Sequence, residues 1–153
     1  MTYLLDTNIV VFMVRGLKVR ANPDARQRER HRRAVRILDR ARKQKAAGHQ
    51  VALSAITVAE LEFGARNSGN YEAELDATRR AITPFALLPF DAENCTAQYG
   101  AVRHELESSG KSIGSLDTLI AAHALALGAT LITNDTDEFS RVPGLKCADW
   151  SVS

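Results

Sequence analysis

Four carboxylates in this chain stand near the ends of elements: Asp6 and Asp135 directly after strand-like runs, Glu60 in the opening turns of a helix-like run and Asp117 at the start of another. Each has a structural explanation of its own. Asp6 can cap the helix that follows it. Thr57-Val58-Ala59-Glu60 fits a capping box. Asp117 falls in a first helical turn, where the macrodipole favours a carboxylate, and Asp135 can cap a short helix. As a set they point to chemistry. Converging carboxylates repel one another, and a hard divalent cation with oxygen ligands relieves the repulsion. A carboxylate cluster that leaves waters on Mg²⁺ or Mn²⁺ suits phosphoryl chemistry, in which the metal activates water and stabilises charge on phosphate.

The elements that must position these acids are readable from the pattern. Residues 3–6 form a short apolar strand, expected to be central in its sheet, and residues 7–16 a helix. The Asn22-Pro23-Asp24 loop leads into a long helix over 25–47, with Ala34, Val35, Leu38, Ala41 and Arg42 at helical spacing and arginines on its other faces. Residues 50–54 are a second strand, followed by helices over 55–66 and 71–82. A third strand is expected over 85–90, then a helix from 91 or 92 to 109 and another over 116–127, with Gly128 as its C-cap. Residues 129–133 read as a fourth strand, 134–139 as a turn or short helix, and 145–150 as a last strand. Strands alternating with helices argue for an α/β domain of three layers around a mostly parallel, five-stranded sheet. In such a sheet the carboxyl ends of the strands share one edge, which gathers Asp6, Glu60 and Asp135. That reasoning does not place Asp117.

The 153 residues suit one domain spanning 1–153, and with 45% hydrophobic and 25% charged residues the composition is that of a globular protein. No run is long and apolar enough for a membrane span, no secretory signal pattern opens the chain, and Cys95 and Cys147 are expected as free thiols. A cytoplasmic protein follows as the expectation. Charge is uneven. From Arg15 to Lys45 there are thirteen Lys/Arg against three acids, a local balance of +10, so the remainder of the chain carries −8 although the total is +2. The basic segment of about 15–47 is either a solvated helix face or a contact for a polyanion, with Arg28, Arg32, Arg33 and Arg36 as candidate ligands of such a partner. His31, His49, His104 and His123 show no metal-ligand spacing, His123 is expected to be packed or at a rim, and Ser54 and Ser115 have no neighbouring His–Asp pair for nucleophilic catalysis.

Leu4-Leu5-Asp6-Thr7-Asn8, Ser54-Ala55-Ile56-Thr57-Val58-Ala59-Glu60-Leu61, Ile113-Gly114-Ser115-Leu116-Asp117-Thr118-Leu119-Ile120-Ala121-Ala122 and Leu131-Ile132-Thr133-Asn134-Asp135, with Phe139 and Arg141-Val142-Pro143-Gly144-Leu145, occur in that order. The set resembles the PIN-domain ribonucleases, above all the VapC toxins of bacterial toxin–antitoxin pairs. The resemblance implies a Mg²⁺- or Mn²⁺-dependent endoribonuclease, a cognate antitoxin that binds over an acidic pocket, and a homodimer. It brings Asp117 into the pocket with Asp6 and Glu60, and makes Asp6 and Asp117 the direct metal ligands. For the fourth acid it offers Asp135, with Glu138 in support. Thr7, Asn8, Ser115 and Thr133 would supply hydrogen bonds behind the ligands. The arginine-rich stretch is longer and more basic than in many relatives, and an RNA contact, an antitoxin contact and a solvated face all stay open for it. Two other readings compete. A haloacid-dehalogenase-like phosphatase would use Asp6 as nucleophile but needs an acid where Asn8 stands, and a non-catalytic nucleic-acid-binding module would rely on the basic helix alone.

Overall fold

The computed structural model describes residues 1–153. Its sheet has five strands: β1 (Thr2–Leu5), β2 (Gln50–Ser54), β3 (Ala86–Leu88), β4 (Thr130–Ile132) and β5 (Lys146–Ala148). They lie in the order β3-β2-β1-β4-β5 and every pairing is parallel. Seven helices connect them: α1 (Thr7–Leu17), α2 (Ala25–Ala46), α3 (Ala55–Arg66), α4 (Tyr71–Ile82), α5 (Asn94–Ser108), α6 (Ser115–Leu127) and α7 (Thr136–Phe139). β1 is central, as its apolar sequence requires.

Alternation along the strands splits the core into two halves. Leu5, Val51, Leu53 and Ile132 face one side and pack with Ile9, Val10 and Met13 of α1 and Ile37 and Ala41 of α2. Leu4, Ala52 and Leu131 face the other side, against Val102 and Leu106 of α5 and Ile120, Ala121 and Ala124 of α6. Covering both faces is what an all-parallel sheet demands, and it explains why its strands read as unbroken apolar runs. The seam of α2 against the core is Ala34, Ile37 and Ala41; Val35 and Leu38 are only partly covered.

The chain leaves β1 toward β2 and β3, then returns to the other side of β1 with β4 and β5. The direction of winding therefore reverses between β1 and β4, and the crevice outside their carboxyl ends is where open α/β sheets place ligands. The two edge strands are shorter than the sequence suggests. β3 stops at Leu88 because Pro89 has no N–H for the ladder. β5 ends at Ala148, and Trp150 turns back to pack on Tyr3, ring centroids 5.1 Å apart. The start of α5 is delayed to Asn94 because Asp91 Oδ1 accepts from the backbone N–H groups of Glu93 and Asn94, forming a turn before the helix. Both cysteines are free thiols, as expected.

Arginines of α2 hold down the C-terminal segment. Arg36 donates to the Ser151 carbonyl at 2.8 Å, Arg33 donates to the same carbonyl and to Ser151 Oγ, and Arg40 donates to the Asp149 carbonyl. The Arg33 guanidinium also lies 5.2 Å from the centroid of the Phe12 ring.

α1 and α2 touch at Gly16. A Cβ there would stand 2.6 Å from Ala34 Cβ and 2.9 Å from the Arg30 carbonyl oxygen, so the two helices could not approach as closely. Gly64, inside α3, has open space around its Cα. Gly16→Ala is expected to destabilise the fold by about 1–3 kcal/mol through overpacking, lowering the melting temperature by several degrees, whereas Gly64→Ala should raise stability by up to about 1 kcal/mol through helix propensity. Thermal unfolding of the two variants checks the contrast.

Candidate active site

Asp6 follows the last residue of β1. Its backbone N–H still belongs to the sheet, donating to the Ile132 carbonyl at 2.8 Å. That bond pins Asp6 at the β1–β4 crevice with only 1% of its surface exposed. Asp6 occupies the N-cap position of α1, but its side chain makes no capping bond. Instead Oδ2 accepts from Thr133 Oγ1 at 2.9 Å, and Oδ1, fully buried, has no hydrogen-bond partner. The capping explanation for this acid therefore fails.

It fails for Glu60 as well. α3 begins at Ala55, capped by Ser54, whose Oγ accepts from the Ile56 N–H. Glu60 consequently lies in the second turn rather than at a capping position. Thr7 Oγ1 donates to Glu60 Oε1 at 2.8 Å and also meets Thr57 Oγ1 at 3.0 Å. Residues from α1 and α3 thus fix this carboxylate together. The sequence reading did not single out Thr57, although it is the first residue of the Thr-x-x-Glu pattern that suggested a capping box.

Asp117 reaches the site because α6 precedes β4. A helix that leads into a parallel strand starts at the edge where the strands end, so the first turn of α6 opens beside Asp6. Gly114 leaves room for it: a Cβ there would lie 3.2 Å from Asp117 Oδ2. Asp135 does cap α7, accepting from the Glu138 N–H at 3.3 Å, while its own N–H donates to Thr133 Oγ1 at 3.0 Å. Glu138 Oε1 accepts from the Gly114 N–H at 3.3 Å. Four carboxylates and Glu138 therefore share one crevice. Of the supporting residues expected from the sequence, Thr7 and Thr133 hold carboxylates; Asn8 and Ser115 are exposed and hold none.

Electrostatics bear out the crowding. Burial pushes the Asp6 carboxyl from 3.8 up to about 7, with the charges of Asp117 and Glu60 adding to the rise and the Thr133 hydroxyl opposing it. Asp117 is raised in turn, first by burial and then by Glu60 and Asp135, against a hydrogen bond with Glu138. Glu138 is raised chiefly by its hydrogen bond with Asp135. A divalent cation fits this arrangement, since the unpartnered Asp6 Oδ1 offers a buried, anionic oxygen with no protein donor. As placed, no three His, Cys, Asp or Glu side chains close a coordination shell by themselves.

The arginines expected at an RNA surface divide into two groups. Arg33 and Arg36 are half-buried and spend their donors on Ser151, so these two are structural. Arg28 and Arg32 remain exposed. With Arg15, Lys18, Arg20 and His31 they line a cleft of about 400 Å³ at the tip of the α1–α2 hairpin. His123 is buried, and Ser54, which the sequence left without a histidine neighbour, hydrogen-bonds it at 2.8 Å. Both are 0% exposed, which excludes a nucleophilic serine.

The fold binds a proton on Asp6 more tightly than the unfolded chain does. Asp6 therefore favours folding below about pH 3.8, and this contribution is lost as pH rises to about 7. Asp6→Asn is expected to stabilise the metal-free protein by a few kcal/mol at pH 8, at about 1.4 kcal/mol per pKa unit, with a smaller gain at pH 5. Denaturant unfolding at the two pH values measures the difference.

Comparison with known proteins places the chain. The PIN domain family profile matches residues 3–145. Ribonuclease VapC2 of Rickettsia felis is 35% identical over 150 residues, 98% of either chain. The tRNA(fMet)-specific endonuclease VapC of Shigella flexneri is 33% identical over 149 residues, 97% of this chain and 98% of that one. Among solved structures, VapBC2 from Rickettsia felis bound to a DNA fragment from their promoter superposes with a TM-score of 0.78 at 34% identity, covering 98% of this chain and 99% of that one. VapBC-1 from nontypeable Haemophilus influenzae gives 0.79 at 32% identity over 99% and 100%. On sequence, fold and the acids gathered at the β1–β4 crevice, this chain belongs to the PIN domain family.

Proposed function

We propose that this protein is a Mg²⁺- or Mn²⁺-dependent endoribonuclease, the toxin of a bacterial toxin–antitoxin pair, acting in the cytoplasm. The observation that carries the reading is Asp6: a carboxylate held at the end of the central strand, 1% exposed, with one oxygen unpartnered and Asp117 and Glu60 close enough to raise its pKa. The names of the relatives support the same activity. Asp6 and Asp117 would hold the cation, with Asp135 and Glu138 completing the acidic wall. When bound, the cation supplies Lewis acidity to phosphate oxygens and neutralises charge that would otherwise keep RNA away.

Within that frame the side chains have distinct tasks. Thr133 orients Asp6 through Oδ2 and leaves Oδ1 free. Thr7 orients Glu60, whose carboxylate is the base that takes a proton from the attacking water as its oxygen bonds to phosphorus. The ester oxygen then leaves and takes up a proton. Glu138, hydrogen-bonded with Asp117 and with Asp135, is a ready store for a proton in the crevice. Arg28 and Arg32, in the cleft with Arg15 and Arg20, attract the phosphate backbone without reading bases.

The antitoxin part of the proposal rests on the solved relatives, which are VapBC assemblies. A groove of about 120 Å³ between α1, α3 and α4 is lined by Val14, Arg15, Glu60 and Leu61 among others. A partner segment seated there would reach the acidic crevice at Glu60.

Asp6→Asn and Asp117→Asn should each lower Mg²⁺-dependent cleavage of purified RNA by at least about a hundredfold, the scale expected when a group acting directly on the reaction is removed, while the folded content by circular dichroism stays that of the parent. Full activity of both variants would overturn the assignment. A non-catalytic RNA-binding module predicts instead that binding persists without Mg²⁺ and that no variant of Asp6 matters. Replacing Arg28 and Arg32 together with Gln is expected to weaken RNA binding and to reduce the log–log salt slope by about 2, one for each phosphate contact removed; binding titrations at several salt concentrations report it.

A further inference from the structure

Ser54 and His123 form a polar pair inside the protein, both with 0% of their surface exposed. His123 Nδ1 lies 2.8 Å from Ser54 Oγ. The same Oγ accepts the Ile56 N–H at 3.0 Å and so caps α3. The edge of the imidazole meets Phe90 at 5.6 Å between centroids and 83° between planes, and Nε2 has no hydrogen-bond partner. Burial holds the imidazole below its usual pKa, so the ring is neutral. Burying polar groups between packed elements costs free energy even when one hydrogen bond is made, and an apolar pair of the same size would fill the space without that cost.

Position supplies a reason for keeping the pair. Ser54 stands six residues before Glu60, at the start of the helix that carries it. His123 stands six residues after Asp117, on the helix that carries that acid. Their hydrogen bond is the one side-chain hydrogen bond that ties the start of α3 to α6. The two helices otherwise meet through apolar contact around Ile56, and the hydrogen bond adds a directional constraint to that packing. A directional bond of 2.8 Å limits how far they slide past one another, and with that the separation of Glu60, in the second turn of α3, and Asp117, in the first turn of α6.

We propose that His123, through its hydrogen bond to Ser54, is a positioning residue that sets the spacing of Glu60 and Asp117 for catalysis. The proposal rests on the endoribonuclease reading above. His123 touches neither substrate nor reacting atoms, and acts only through the helix it anchors. Misplacement of reacting groups by about 1 Å can cost about a hundredfold in rate, and loss of a supporting partner behind metal ligands costs about 10–100-fold in metal affinity.

The test uses the full chain and the variants His123→Leu, His123→Asn and Ser54→Ala. Asn places a polar atom near the position of Nδ1, whereas Leu fills the volume and removes the bond. RNA cleavage gives kcat and KM, electron paramagnetic resonance titration gives the Mn²⁺ dissociation constant, and circular dichroism gives folded content and melting temperature. His123→Leu is expected to lower kcat by about 10–100-fold and weaken Mn²⁺ binding by about tenfold or more, with KM for RNA within about twofold of the parent. His123→Asn should recover most of both losses. A folded His123→Leu protein with parental kcat and Mn²⁺ affinity overturns the proposal, and so does a folded His123→Asn protein no better than the leucine variant. Should His123→Leu fail to fold, Ser54→Ala decides on the same two readouts. A parent chain that does not cleave RNA at all refutes the endoribonuclease reading instead, and the Mn²⁺ titration then judges the positioning role alone.

Discussion

The structure turns on the burial of one charge. Asp6 sits at the end of the central strand, with strands on both sides and helices on both faces, so water cannot solvate it. A carboxylate in such a place normally takes up a proton or gathers donors. Here it gathers the Thr133 hydroxyl and the backbone N–H of Thr7, and is flanked by further acids instead of by basic groups. The arrangement is costly for the metal-free protein at neutral pH and becomes favourable when positive charge enters the crevice. Local instability of this kind is characteristic of a site shaped for a ligand rather than for the fold.

Everything around Asp6 serves to keep that geometry. The parallel ladder holds its backbone, the β4 end supplies Thr133 and Asp135, and α1 supplies Thr7 to steady Glu60 from α3. The order of strands matters because the crevice exists only where the winding reverses. Asp117 arrives by the opposite route, at the start of a helix that feeds a strand. Ends of strands and starts of such helices meet at the same edge, and this is how acids from four separate stretches of chain come together.

The positive charge follows a different logic. One set of α2 arginines points inward along the C-terminal segment and uses its donors on carbonyls of Asp149 and Ser151. Another set points away and lines the cleft at the hairpin tip. The acid-lined crevice lies at the start of α1 and the basic cleft at its other end, and Arg15 lines both that cleft and the groove that Glu60 also lines. A polyanion would be drawn by the hairpin and admitted to the crevice only where a cation offsets the carboxylates.

Much of this was determined by the sequence itself. Unbroken apolar runs of strand length alternating with amphipathic helices left few alternatives to a parallel sheet covered on both faces, and the ordered motifs around Asp6, Glu60, Asp117 and Asp135 singled out acids that the fold brings to one crevice. Local chemistry misled at particular places: Thr57 and Glu60 have the spacing of a capping box, yet Ser54 caps that helix and leaves Glu60 to the crevice. Pro89 and the Asp91 turn trimmed elements that periodicity alone would extend. Only the tertiary structure decided which arginines face solvent, because residues on adjacent faces of one basic helix look alike until their neighbours are known. It alone also paired Ser54 with His123 and left one oxygen of Asp6 without a donor. Such contacts join residues far apart in the chain, and a sequence encodes them only through the packing of the whole.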